Sequence, residues 1–117
     1  MPNADAAVIA APERLRAVEA TGLLDSPASP ALDRLTRLTT QLLGVPASVV
    51  TLIDRDRQFF AGASGLGETL AASRQTSLDY SYCQHVVASA KPIVVTDAVS
   101  HPLVYDNLAT LKDGIRA

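Results

Sequence analysis

The chain has 117 residues, with 10 Lys and Arg, 12 Asp and Glu, 2 His, 1 Cys and a formal charge of −2, a length that suits one domain. At 48% hydrophobic and 19% charged residues there is material for a core and too little net charge for disorder. The balanced charge argues against a nucleic-acid binder, the lone cysteine against a disulfide-stapled secreted scaffold, and the absence of any apolar run near ~18 residues against a membrane span.

Residues 1–11 are Ala-rich, carry no period and read as a mobile arm. The stretch 6–11 is too short for a signal segment and has no basic flank before it, so the chain is expected in the cytoplasm. Pro12 suits a first helical position, Leu15 and Val18 share a face, and Gly22 offers a stop, which predicts a leading helix over 12–22. After a connector at 23–27, Ser29 and Pro30 open the main helix, 30–43. Its apolar stripe is Leu32, Leu35, Leu38, Leu42 and Leu43, and Gly44 ends it.

The run 48–53 is apolar on both alternate faces and predicts a central strand. Asp54-Arg55-Asp56 is a charged turn, and 57–61 returns as an antiparallel partner with Phe59 and Phe60 on opposite faces. Residues 62–75 show no period and read as a long loop. Ser81 and Gln84 match a capping box, so a helix is expected from there to the residues before Lys91-Pro92. A β-branched strand over 93–96, a loop or irregular helix over 97–107 and an extended start at Gly114-Ile115-Arg116-Ala117 complete the pattern. Helices around a mainly antiparallel sheet make an α+β fold.

Taken in order, several segments together resemble a GAF domain, a sensory module of bacterial signalling proteins. They are residues 14–27, 32–38 and 45–54, then Arg57-Gln58-Phe59-Phe60, Ser81-Tyr82-Cys83, 92–98 and Gly114-Ile115-Arg116-Ala117. The resemblance spans 12–117. It implies an antiparallel sheet with helices on one face and a ligand cavity on the other. It also implies two further strands and a closing helix beyond the last segment, so the domain is expected to be incomplete at the C-terminus.

The resemblance places Tyr82, Cys83, Asp97, Tyr105 and Asn107 on segments that line such a cavity, and these are the candidate ligand contacts. Each has an ordinary structural reading as a capping or packing residue. The cofactor is unknown. Flanking helices in GAF-like proteins often pair in parallel dimers, which makes Leu15, Val18, Leu23 and Leu24 the candidate homodimer contacts. The implied function is small-molecule sensing, passed through flanking helices to a downstream signalling domain or protein, without enzymatic activity. The alternatives are a dimerisation module with a closed pocket and a thiol redox sensor at Cys83, placed in a helix's first turn where the dipole favours a thiolate.

Other chemistry finds less support in the residues. The cysteine that holds a bilin in phytochrome-like relatives has no counterpart after 96–98. Cys83 and His85 are two apart and do not share a helical face, and no second cysteine completes a zinc set. Ser81, His85 and Asp97 lack a glycine-flanked nucleophile turn. Gly65 and Gly67 precede no phosphate-binding helix signature and read as loop glycines.

Overall fold

In the computed structural model, which describes residues 3–117, the longest helix starts where Ser29 accepts a hydrogen bond from the Leu32 amide at 3.3 Å and Pro30 takes the first turn. This helix is α3, Pro30–Leu43, and Gly44 closes it in the left-handed conformation at φ 64°. Before it come α1 (Ala6–Ile9) and α2 (Pro12–Ala20), the latter followed by Gly22 at φ 69°. After it come strands β1 (Ser48–Ile53) and β2 (Arg57–Ser64), helix α4 (Glu68–Ser73) and strand β3 (Gln75–Ser77). Helices α5 (Cys83–Ser89) and α6 (Leu108–Lys112) complete an α+β fold around an antiparallel sheet in the order β1-β2-β3.

Register decides which residues share a face. Val49, Thr51 and Ile53 pair with Ala63, Phe60 and Gln58, whereas Val50 and Leu52 pair with Gly62 and Phe59, and a bulge lies between Val50 and Thr51. Because alternate side chains point to opposite faces, the two sets line the two sides of the sheet. Helix α3 lies on the Gly62 side: a Cβ at Gly62 would stand 2.7 Å from the Leu32 Cβ. There Asp33 Oδ1 accepts from the Ala63 amide at 3.2 Å and the Thr36 carbonyl accepts from Ser48 Oγ at 2.6 Å.

Several expectations are corrected. Residues 1 and 2 of the expected arm lie outside the described residues, but 3–11 are docked. Ile9 is buried, Ala4 N donates to Gln84 Oε1 at 3.0 Å, and the Arg14 guanidinium donates to the Ile9 carbonyl. A single helical turn with one anchoring side chain leaves no period to read. Strand β1 is an edge strand, and β2, with five consecutive buried residues, is central. The expected loop 62–75 holds the end of β2, all of α4 and the start of β3.

Residues 93–96 form no strand, and Val94 is 81% exposed. β-branched residues favour extended backbone, but a strand needs a partner ladder. The expected extension at 114–117 also stays outside the sheet; it contributes a bond from Ala98 N to the Arg116 carbonyl at 2.6 Å. Helix α6, Leu108–Lys112, has no counterpart in the expected pattern; its cap, Asn107, ends the stretch expected as a loop or irregular helix.

The leucine stripe of α3 is divided by the packing. Thr36 is buried, while Leu35, Leu38 and Leu42 point away from the sheet, with 56%, 49% and 75% of their surface exposed. Among the described residues no helix is long and apolar enough to cross a membrane.

Candidate functional site

The face of the sheet opposite α3 carries Val49, Phe60 and Gln58, and against it lies an open-sided cavity of about 220 Å³. Leu66 and Leu70 form one wall, Tyr80, Tyr82 and Cys83 another, and Ala109, Asp113 and Ile115 a third. The surface is mainly apolar, with a few polar groups, which is the usual character of a small-molecule site.

A buried polar network sets the Tyr82–Cys83 wall in place. Ser81 Oγ accepts from the Gln84 amide at 3.1 Å, as the capping box requires. The Gln84 side chain departs from the motif. Its Nε2 donates to the carbonyls of Leu78 at 2.6 Å and Ser81 at 2.9 Å, and its Oε1 accepts from Ala4 N. Ser81 and Gln84 are fully buried, so loss of either would leave unpaired polar groups in the interior.

The candidate contacts separate clearly. Tyr82 and Cys83 line the cavity. The Tyr82 hydroxyl donates to Thr110 Oγ1, which donates in turn to the Val104 carbonyl at 2.8 Å, so the phenol head is satisfied internally and the ring faces the cavity. Cys83 is half-buried and has no disulfide partner. Asn107 lies outside the cavity wall; its Oδ1 caps α6 at the Ala109 amide (2.9 Å) and its Nδ2 donates to the Ser81 carbonyl (3.0 Å). Asp97 caps the short 3₁₀ turn 98–100 through Val99 N and Ser100 Oγ. Tyr105 is 48% exposed, and neither it nor Asp97 lines the cavity.

Sequence reasoning passed over Gln58, Phe60, Thr76 and Tyr80, all of which line the cavity. The spacing of Gln58 and Phe60 was the available signal, since residues two apart on a strand share a face. Thr76 could be placed only once β3 was known to pair with β2 beside Gln58.

The homodimer candidates are arranged differently from the expectation. Leu15 is buried within its own chain, and Val18, Leu23 and Leu24 are half-buried. Among the exposed apolar residues, Leu35, Leu38 and Leu42 share one face of α3, the helix that packs on β1, an edge strand.

Away from the cavity, His85 Nε2 and Asp106 Oδ1 are buried and find no hydrogen-bond partner among the described residues. Burial lowers the proton affinity of His85; Asp106 opposes this and His101 adds to it. Among the described residues no group of three or more His, Cys, Asp or Glu is placed to hold a metal ion. Arg57, at the start of β2, makes a two-pronged contact with Asp25, both distances 2.8 Å, and reaches Asp54 at 3.2 Å. Those carboxylates hold its guanidinium above the usual arginine range, while its hydrogen bonds hold the Asp25 carboxyl below the usual carboxylate range.

No protein-family model matches the sequence, and no curated protein matches it at a significant level.

Proposed function

We propose that this chain is a regulatory, GAF-like small-molecule-sensing domain of a bacterial signalling protein, acting in the cytoplasm as a homodimer. The observation that carries this reading is the mainly apolar cavity on the sheet face opposite α3, walled by Tyr82 and Cys83. These two residues belong to the ordered set of segments that resembles the family. The cavity also has a route outward. Gln84, next in sequence to Cys83, binds Ala4 N, and Arg14 of α2 donates to the carbonyls of Ile9 and Ile53 at 2.9 and 2.6 Å. A ligand that binds two arrangements of this wall with different affinity would shift how α1 and α2 pack, and equal affinity would shift nothing. The readout would pass to a downstream signalling domain or protein.

Native mass spectrometry of the full chain tests the reading. A dimer carrying extra small-molecule mass, with a thermal shift on adding that molecule back, is the supporting result. A ligand-free protein whose stability no small-molecule panel alters would remove it.

A second reading, a module for self-association alone, is favoured by the outward Leu35, Leu38 and Leu42 and the open β1 edge, since unpaired strand edges template pairing. It requires a concentration-dependent dimer that Leu38→Arg dissociates and that no cavity ligand affects.

A further inference from the structure

Resting on the sensing reading, we infer that the cavity takes a two-ring aromatic molecule bearing an N–H or O–H donor, and rejects anions such as nucleotides. Three observations lead there.

The first is charge. Among the described residues lining the cavity none is Lys, Arg or His, and the one ionisable side chain besides the thiol and the phenols is the Asp113 carboxylate. A phosphate or carboxylate ligand would lose its hydration with no cation to receive it, next to a like charge.

The second is size and surface. An engineered apolar cavity of about 150 Å³ takes benzene, and this cavity of about 220 Å³ is roughly half as large again, which suits two fused rings. Phe60, Tyr80 and Tyr82 supply aromatic walls, against which a flat ring system packs edge-to-face or offset.

The third is an oriented, neutral acceptor. Gln58 is only 6% exposed and lines the cavity. Its Nε2 donates to Thr76 Oγ1 at 2.8 Å, and that hydroxyl donates onward to the Ser77 carbonyl at 2.9 Å. This chain of bonds fixes the amide, and among the described residues no donor reaches Gln58 Oε1. A ligand donor aimed at that oxygen would complete the amide's bonding, and loss of such a bond costs about tenfold in affinity.

The test uses three probes of similar body on the full chain, read by amide NMR shifts at Gln58, Phe60 and Cys83. Indole offers an N–H, benzofuran replaces it with an oxygen that cannot donate, and naphthyl phosphate adds a dianion. The expected result is indole binding at least about tenfold tighter than either of the others. Gln58→Leu should abolish the preference of indole over benzofuran; the comparison on the unaltered chain stands by itself if that variant folds poorly. Equal binding of benzofuran and indole overturns the assigned donor. Naphthyl phosphate binding as tightly as indole overturns the charge argument while leaving small-molecule sensing intact. If none of the three moves the cavity resonances, the ligand class falls, while the sensing reading is decided separately by the native mass spectrum.

Discussion

Gly62 is the point where α3 rests directly on the sheet, so Gly62→Ala tests the packing that separates the helix face from the cavity face. The added Cβ would meet Leu32 Cβ at 2.7 Å, the Leu32 carbonyl carbon at 3.0 Å and its oxygen at 3.1 Å. Comfortable carbon contacts lie at about 3.5–4.0 Å, so the helix must retreat by about 1 Å. No side-chain rotation relieves this, because the opposing atoms are backbone and Cβ. Overpacking of this kind costs about 1–3 kcal/mol, and the lower chain entropy of alanine in a strand returns about 0.5–1 kcal/mol. The net loss expected is about 1–2 kcal/mol.

Urea unfolding is the assay. With a slope near 1.5 kcal/mol/M, the midpoint should fall by about 1 M, and the melting temperature by several degrees. Leu32→Ala in the same chain should give no rescue, since it retains the Cβ that makes the closest contact. Indole affinity should stay within about twofold, because the cavity lies on the other side of the sheet. A Gly62→Ala chain as stable as the parent would refute the close seating of α3. Rescue by Leu32→Ala would show that the clash lies with the outer leucine atoms instead.

Arg14→Met removes the donor that satisfies the Ile9 and Ile53 carbonyls; a loss of about 1–3 kcal/mol and faster proteolysis within 3–11 are expected, and unchanged proteolysis would show that α1 docks without it. His85 has its proton affinity lowered from the usual 6.5, by burial first and by His101, against Asp106. The unfolded chain therefore takes up the proton first, so this contribution is full at pH above about 7 and is lost as pH falls through 6.5 toward the lower folded value. Urea midpoints at pH 7.5 and 5.5 should differ in that direction, and His85→Gln should shrink the difference; an unchanged difference would place the dependence on other groups. Saturating indole should slow alkylation of Cys83, which lines the cavity, by at least about fivefold, and an unaltered rate would mean that the probe binds elsewhere.

What could be read from the sequence divides along the range of the interactions involved. The bounds of α3 follow from Ser29, Pro30 and Gly44, all local signals, and the structure places the helix at the same residues. The Ser81–Gln84 cap was legible for the same reason. Its real consequence was not, because the partners of Gln84 lie at Leu78 and at Ala4, 80 residues away. Residues 93–96 show the opposite failure. Their composition favours a strand, yet pairing is a property of two segments, and none is laddered beside them. Of the five candidate contacts, Tyr82 and Cys83 reach the cavity through a local turn. Asn107 instead carries the cap of α6, a helix that spacing alone did not announce.

The division of the α3 leucines explains why periodicity found the helix and still misjudged its faces. A 3.6-residue period identifies a stripe but does not say what the stripe meets. Leu35, Leu38 and Leu42 satisfy the period as a set, yet Asp33, Thr36 and Gly62 decide the docking. Asp33 receives the Ala63 amide, the Thr36 carbonyl receives the Ser48 hydroxyl, and Gly62 lets the helix backbone approach. These polar contacts fill needs of the β1–β2 backbone and side chains that apolar groups cannot fill. The leucines are left on the outer side, three exposed apolar residues on one helix face beside the open edge of β1. The same geometry that frees this face directs Val49, Phe60 and Gln58 to the opposite one, where the cavity forms. The cavity and the exposed leucine face of α3 therefore lie on opposite sides of one sheet. Charged substitution at Leu38 and probe binding at Gln58 can accordingly be varied independently, and that independence separates sensing from self-association.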